Sequence, residues 1–123
     1  MRVVTLPRRR IEAFASSGVV MDFLPTVTGG RTGVRLARID AGGTLGRHRA
    51  PTRQMFAVVE GTGVVSTTGY PDVVVGVGQA VLWEPGEDHE TRAGTAMLVA
   101  VVELDGDLEL GPEHVLGEVP GPS

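Results

Sequence analysis

Three histidines, His48, His89 and His114, carry most of the chemistry this chain can offer near neutral pH, because it contains no cysteine and no lysine. Their absence removes thiolate nucleophiles, cysteine-based metal sites and Schiff-base chemistry. An imidazole titrates near neutrality and serves as general base, proton carrier or metal ligand. His48 lies in the segment AGGTLGRHRAPTRQMFAVVEG (Ala41 to Gly61), and His89 lies in GQAVLWEPGEDHE (Gly78 to Glu90). His114 falls in a polar, acidic tail, where an exposed side chain is expected.

Strand periodicity sorts the neighbours of these histidines into two faces. With side chains alternating, His48 and Ala50 point one way and Arg47 and Arg49 the other, while Gln54, Phe56 and Val58 share a face opposite Arg53. The predicted cavity is therefore lined by imidazole, amide and small or apolar groups, with His48, Gln54, Phe56 and His89 as the candidate ligand-binding set. A histidine base needs an orienting acid, and Glu84, Asp88, Glu90 and Glu103 are the candidates. Asp88 and Glu90 flank His89 on the opposite pleat. Trp83 and Tyr70 offer aromatic surface, with Trp83 expected as a core or dimer anchor.

The elements that must hold these residues read as strands. Glycine and valine dominate the middle of the chain, and short apolar runs end at Gly, Pro or Asp. Strands are expected at Val19 to Leu24, Val34 to Ile39, Gln54 to Glu60, Gly63 to Thr67, Asp72 to Val77, Ala80 to Trp83, His89 to Arg92 and Thr95 to Leu104. Many short strands with tight glycine turns predict an all-β fold, a small antiparallel barrel or sandwich. Residues 18–104 form the expected barrel. Residues 1–17 form an arm with a short helix over Arg8 to Ser16, and residues 105–123 form a loosely held, Pro/Gly-rich tail. Met55, Ala57 and Val59 make an apolar outer face, which predicts a homodimer.

At 123 residues the chain is the size of one domain, and its net charge of -4 argues against a nucleic-acid partner, which calls for a basic face. Its longest apolar run, Ala96 to Val102, is too short to span a membrane, and the N-terminus lacks the apolar stretch of a signal peptide. A cytoplasmic location is the resulting expectation.

The two histidine segments resemble the paired motifs of the cupin superfamily. The first motif has Gly, five residues, His-x-His, three or four residues, Glu, six residues and Gly; here Gly42, His48, Gln54 and Gly61 fall in register, with Ala50 at the second histidine. The second has Gly, five residues, Pro-x-Gly, two residues, His, three residues and Asn. Gly78, Gly86 and His89 match it, with Glu84 at the proline position and Ala93 at the asparagine. The resemblance implies a double-stranded β-helix of jelly-roll type, often dimeric, with the motif residues facing the barrel interior.

In metal-dependent cupins the corresponding residues hold one divalent ion, usually iron, manganese, nickel, copper or zinc. The set implied here is His48, Gln54 and His89. A neutral amide binds such ions more weakly than a carboxylate, and catalytic sites normally keep three strong protein ligands, so Ala50 and Gln54 both weaken a metal centre. Three functions follow, in this order: a barrel that binds a small molecule around His48, Gln54 and His89, a metal-dependent oxygenase or isomerase, and a structural or regulatory dimer with an empty barrel. A packed interior in which Gln54 and the histidines satisfy one another, and a metal-free enzyme using His48 or His89 as base, also remain open.

Overall fold

The computed structural model describes residues 1–117, and the end of the expected tail lies outside them. The strands are β1 (Arg2–Thr5), β2 (Arg8–Ile11), β3 (Val19–Asp22), β4 (Thr26–Thr28), β5 (Thr32–Ile39), β6 (Thr44–Arg49) and β7 (Arg53–Glu60). They continue as β8 (Thr62–Thr67), β9 (Val73–Gly76), β10 (Gln79–Trp83), β11 (Asp88–Ala93), β12 (Met97–Leu104), β13 (Asp107–Glu109) and β14 (Val115–Gly117). A six-stranded sheet in the order β14-β1-β10-β7-β12-β5 faces a four-stranded sheet in the order β6-β11-β8-β9, and all the pairings are antiparallel. Among the described residues no helix is long and apolar enough to cross a membrane.

Alternation along the central strands builds two cores, one on each side of the larger sheet. Phe56 and Val58 of β7, Val81 and Trp83 of β10 and Val99 of β12 point inward, where they meet Val65, Val75 and Ala93 of the smaller sheet. Met55, Ala57, Ala80, Leu82, Val102 and Leu104 point outward, joined by Val4 and Leu6. The β4–β13 ribbon covers this outer face, with Val27, Leu108 and Leu110 packed on it. Met55 and Ala57, the basis for expecting a partner sheet, are thus covered by their own chain, while Val59 sits at a register shift and is 44% exposed.

Four further expectations change. Arg8 to Ser16 is not a helix: Arg8–Ile11 pairs with Val19–Asp22, and only Ala13–Ala15 makes a 3-10 turn. An Arg8–Asp22 ion pair at 2.6 Å ties the open end of that ribbon, and three residues with helical spacing cannot compete with a closed hairpin. The arm also begins inside the main sheet, because β1 pairs with β10 and places Val3 in the inner core and Val4 in the outer one. The tail, expected to be loosely held, returns through β13 and β14 to pair with β4 and β1. His114, expected to be exposed, is buried, and its Nδ1 accepts a hydrogen bond from the Gly111 amide at 3.1 Å.

Gly42, Gly61, Gly78 and Gly86, the glycines of the paired motifs, all have φ between 78° and 91°. At Gly61 the tight β7–β8 turn also passes close to Ala96, whose carbonyl oxygen would lie 2.1 Å from an added Cβ. Gly61→Ala therefore combines a left-handed backbone with a steric clash and is expected to cost more than about 1 kcal/mol. Urea unfolding of the variant checks this, and an unchanged midpoint would contradict it.

Candidate functional site

Between the two sheets lies a cavity of about 290 Å³. It opens between β5 and β6, which are edge strands of different sheets and do not pair with each other. The larger sheet contributes Arg35, Leu36 and Ala37 from β5, Gln54 and Phe56 from β7, Trp83 from β10, and Val101 and Glu103 from β12. The smaller sheet contributes Leu45 and His48 from β6 and His89 and Thr91 from β11. All four residues expected in the binding set, His48, Gln54, Phe56 and His89, therefore meet at one cavity.

Leu45 and His48 are three residues apart, so regular alternation would put them on opposite faces. A register shift in the β6–β11 ladder removes that conflict: His48 opposes His89 and Leu45 opposes Thr91, so Gly46 and Arg47 together face Glu90 alone. This β-bulge re-aims the strand, and both side chains reach the cavity. Arg47 turns away, with Nη2 on Ser66 at 2.6 Å and Glu90 at 3.4 Å.

The imidazoles are held from behind. His48 Nδ1 donates to the Gly46 carbonyl at 2.8 Å, and His89 Nδ1 donates to the Glu87 carbonyl at 3.1 Å. A carbonyl only accepts, so both neutral rings carry their proton on Nδ1 and leave Nε2 as the remaining nitrogen. The rings meet edge to face, 4.5 Å between centroids. His89 also stacks on Trp83 at 3.7 Å, Phe56 packs edge-on against that indole, and Trp83 Nε1 donates to Thr67 Oγ1 at 2.9 Å.

Of the four candidate acids, Glu103 alone lines the cavity. Its Oε1 accepts from Arg35 Nη1 at 2.8 Å and from Gln54 Nε2 at 3.4 Å. Glu84 is instead paired with Arg53, and Asp88 and Glu90 lie beside Arg49 and Arg47. Sequence reasoning missed Arg35, Leu45 and Thr91 as lining residues; Trp83, expected as a core or dimer anchor, is buried in the inner core and also lines the cavity. Strand alternation in β5, which puts Arg35 and Ala37 on one face, was the signal available for Arg35. Ala50, expected on the same face as His48, is buried in the inner core and does not line the cavity.

These donors do not make up a resident metal centre. Two imidazole nitrogens are available, but the Gln54 amide faces Glu103, and the Glu103 carboxylate is engaged by the Arg35 cation. Among the described residues no group of three His, Cys, Asp or Glu side chains is placed to share an ion.

Two facing antiparallel sheets around an inner cavity, entered beside a bulged histidine strand, define a small double-stranded β-helix protein. The family model for the cupin domain matches residues 35–104, more than half of the chain, and the protein belongs to the cupin family. No curated protein matches it in sequence. Among solved structures it is similar to a conserved protein of unknown function from Streptococcus pyogenes, at 22% identity and a TM-score of 0.57 over 68% of this chain and 75% of that one. It is also similar to the DMSP lyase DddQ from Ruegeria pomeroyi, at 23% identity and a TM-score of 0.58, covering 68% of this chain but only 42% of the lyase. A third, a predicted oxalate decarboxylase from Thermotoga maritima, is 23% identical with a TM-score of 0.51 over 58% of this chain and 64% of that one. At such identities the likeness concerns the fold.

Burial is the main influence on His89, which is 3% exposed, and it pushes the imidazole pKa below its ordinary value of 6.5; the nearby His48 and Arg47 act in the same direction, against the Glu87 carbonyl and carboxylate. The folded state thus binds fewer protons at His89 than the unfolded chain does. Its contribution to stability is complete above about pH 6.5 and is lost as the pH falls from there to the folded-state value. An NMR titration is expected to place His89 below an unfolded-chain histidine. The acid-side loss of stability should shrink in His89→Gln, and an unshifted His89 would contradict the assignment.

Proposed function

We propose that this cupin domain binds a small, largely apolar molecule between its sheets and does so without a resident metal ion. The observation that carries this reading is the cavity itself. Leu36, Ala37, Leu45, Phe56 and Val101 supply an apolar wall, and His48, His89, Gln54 and Glu103 supply polar groups on the same lining. Small-molecule sites characteristically combine these features: a concave apolar surface with a few polar groups that set orientation. The reaction, if the bound molecule is transformed, belongs to the two imidazoles, because their free Nε2 atoms are the basic groups on the wall.

A screen of small organic compounds against the full chain tests the reading, with binding detected by shifts of the His48 and His89 ring signals. Ala37→Phe, which adds a ring to the wall where Ala37 is half-buried, is expected to keep the fold and abolish those shifts. Binding that survives Ala37→Phe unchanged would place the ligand elsewhere.

Element analysis of protein purified without an affinity tag addresses the metal directly. Transition metal well below one equivalent is expected, with no change of melting temperature on adding a chelator. A stoichiometric metal that disappears in His48→Ala or His89→Ala would overturn the metal-free reading and favour a metal-dependent oxygenase or isomerase.

A further inference from the structure

We infer that the molecule taken up by this cavity is uncharged and presents two neighbouring hydroxyl donors on an apolar body, an inference that rests on the binding role proposed above. It follows from which polar atoms of the wall are already spent. Both Nδ1–H groups go to backbone carbonyls, so His48 and His89 offer lone pairs at Nε2. Gln54 gives one of its two amide N–H groups to Glu103 and retains the other together with its carbonyl oxygen, which accepts. Trp83 has its N–H on Thr67. Glu103 is an acceptor throughout, and the Thr91 hydroxyl can play either part.

The one cation on the wall, Arg35, already donates to Glu103 at 2.8 Å, and its side chain is 74% exposed. Acceptors prevail among these unspent groups, and a guest that covers them without supplying donors leaves them unpaired at a cost. A carboxylate would set lone pairs against lone pairs. An ammonium group would bring an uncompensated charge into an apolar cavity, because Glu103 is already neutralised by Arg35. Hydroxyl groups supply the missing donors at no charge. With the imidazoles only 4.5 Å apart between centroids, those donors must sit close together on one ligand.

The test is an NMR titration of the full chain at pH 8 with four probes of one shape: cyclohexane-1,2-diol, its dimethyl ether, cyclohexanecarboxylate and cyclohexylammonium. The diol is expected to shift the ring signals of both histidines and to bind at least about fivefold more tightly than the ether. His48→Gln, at an exposed position that leaves the core intact, should lose about fivefold in diol affinity while keeping the wild-type melting temperature. Tighter binding of the carboxylate or the ammonium, or equal binding of diol and ether, would overturn the hydroxyl assignment while leaving the binding role standing. If none of the four probes shifts either ring, the diol assignment fails, and the binding role is decided by the broader screen and Ala37→Phe.

Discussion

The stack of Trp83 on His89 is the contact on which the rest of the site depends. Trp83 belongs to the larger sheet, whereas His89 and Thr67 belong to the smaller one, so ring stacking and the indole hydrogen bond join the two layers at a single side chain. Phe56 braces the indole from the next strand of the larger sheet. Stacked aromatic rings keep their hydrophobic gain and add a directional preference that aliphatic packing lacks. His89 is thus oriented twice, through its face by Trp83 and through Nδ1 by the Glu87 carbonyl. The cavity wall here is part of the packed core.

Electrostatics then keep the cavity close to neutral. Two of the four arginines on β5 and β6 have partners outside the cavity: Arg47 reaches Ser66, Thr68 and Glu90, and Arg49 lies beside Asp88. Arg35 and Glu103 form the ion pair of the cavity wall, with Gln54 as an added donor. An exposed pair of this kind contributes little to stability, typically below about 1 kcal/mol. Its consequence lies in occupancy: each charge is engaged by the other and is less available to attract a ligand of opposite sign.

The sequence revealed the fold more completely than the site. All eight expected strands exist within a residue or two of their predicted limits; the central ones carry buried apolar side chains, whereas the valines of β3 are exposed and were legible from β-branched composition alone. The strands that went unseen are short, polar or at an edge. β6 is the instructive case: it places His48, yet every one of its residues is exposed, and TLGRHR has no apolar period to detect. Its bulge was equally hidden, since a bulge is a relation between two strands. β13 and β14 were hidden by their Pro/Gly-rich surroundings. Simple alternation did locate Gln54 and Phe56 on the inner face of β7, because that strand is central and pairs on both sides.

The departures from the metal-binding pattern make structural sense together. Ala50 occupies the place of a ligand histidine, and its amide and carbonyl pair with Glu87 and Gly86, which fastens the end of β6 to the turn before β11. Its methyl group is 1% exposed within the same buried cluster as Trp83. A larger, polar side chain there would have to displace close-packed core atoms and find its own hydrogen-bond partners, at a cost that overpacked interiors typically show as about 1–3 kcal/mol. Gln54, at the carboxylate position, similarly turns its amide to Glu103. One exchange fills space with core and the other removes a charge. Both favour the same outcome, an interior built around a stacked imidazole and open to a neutral guest.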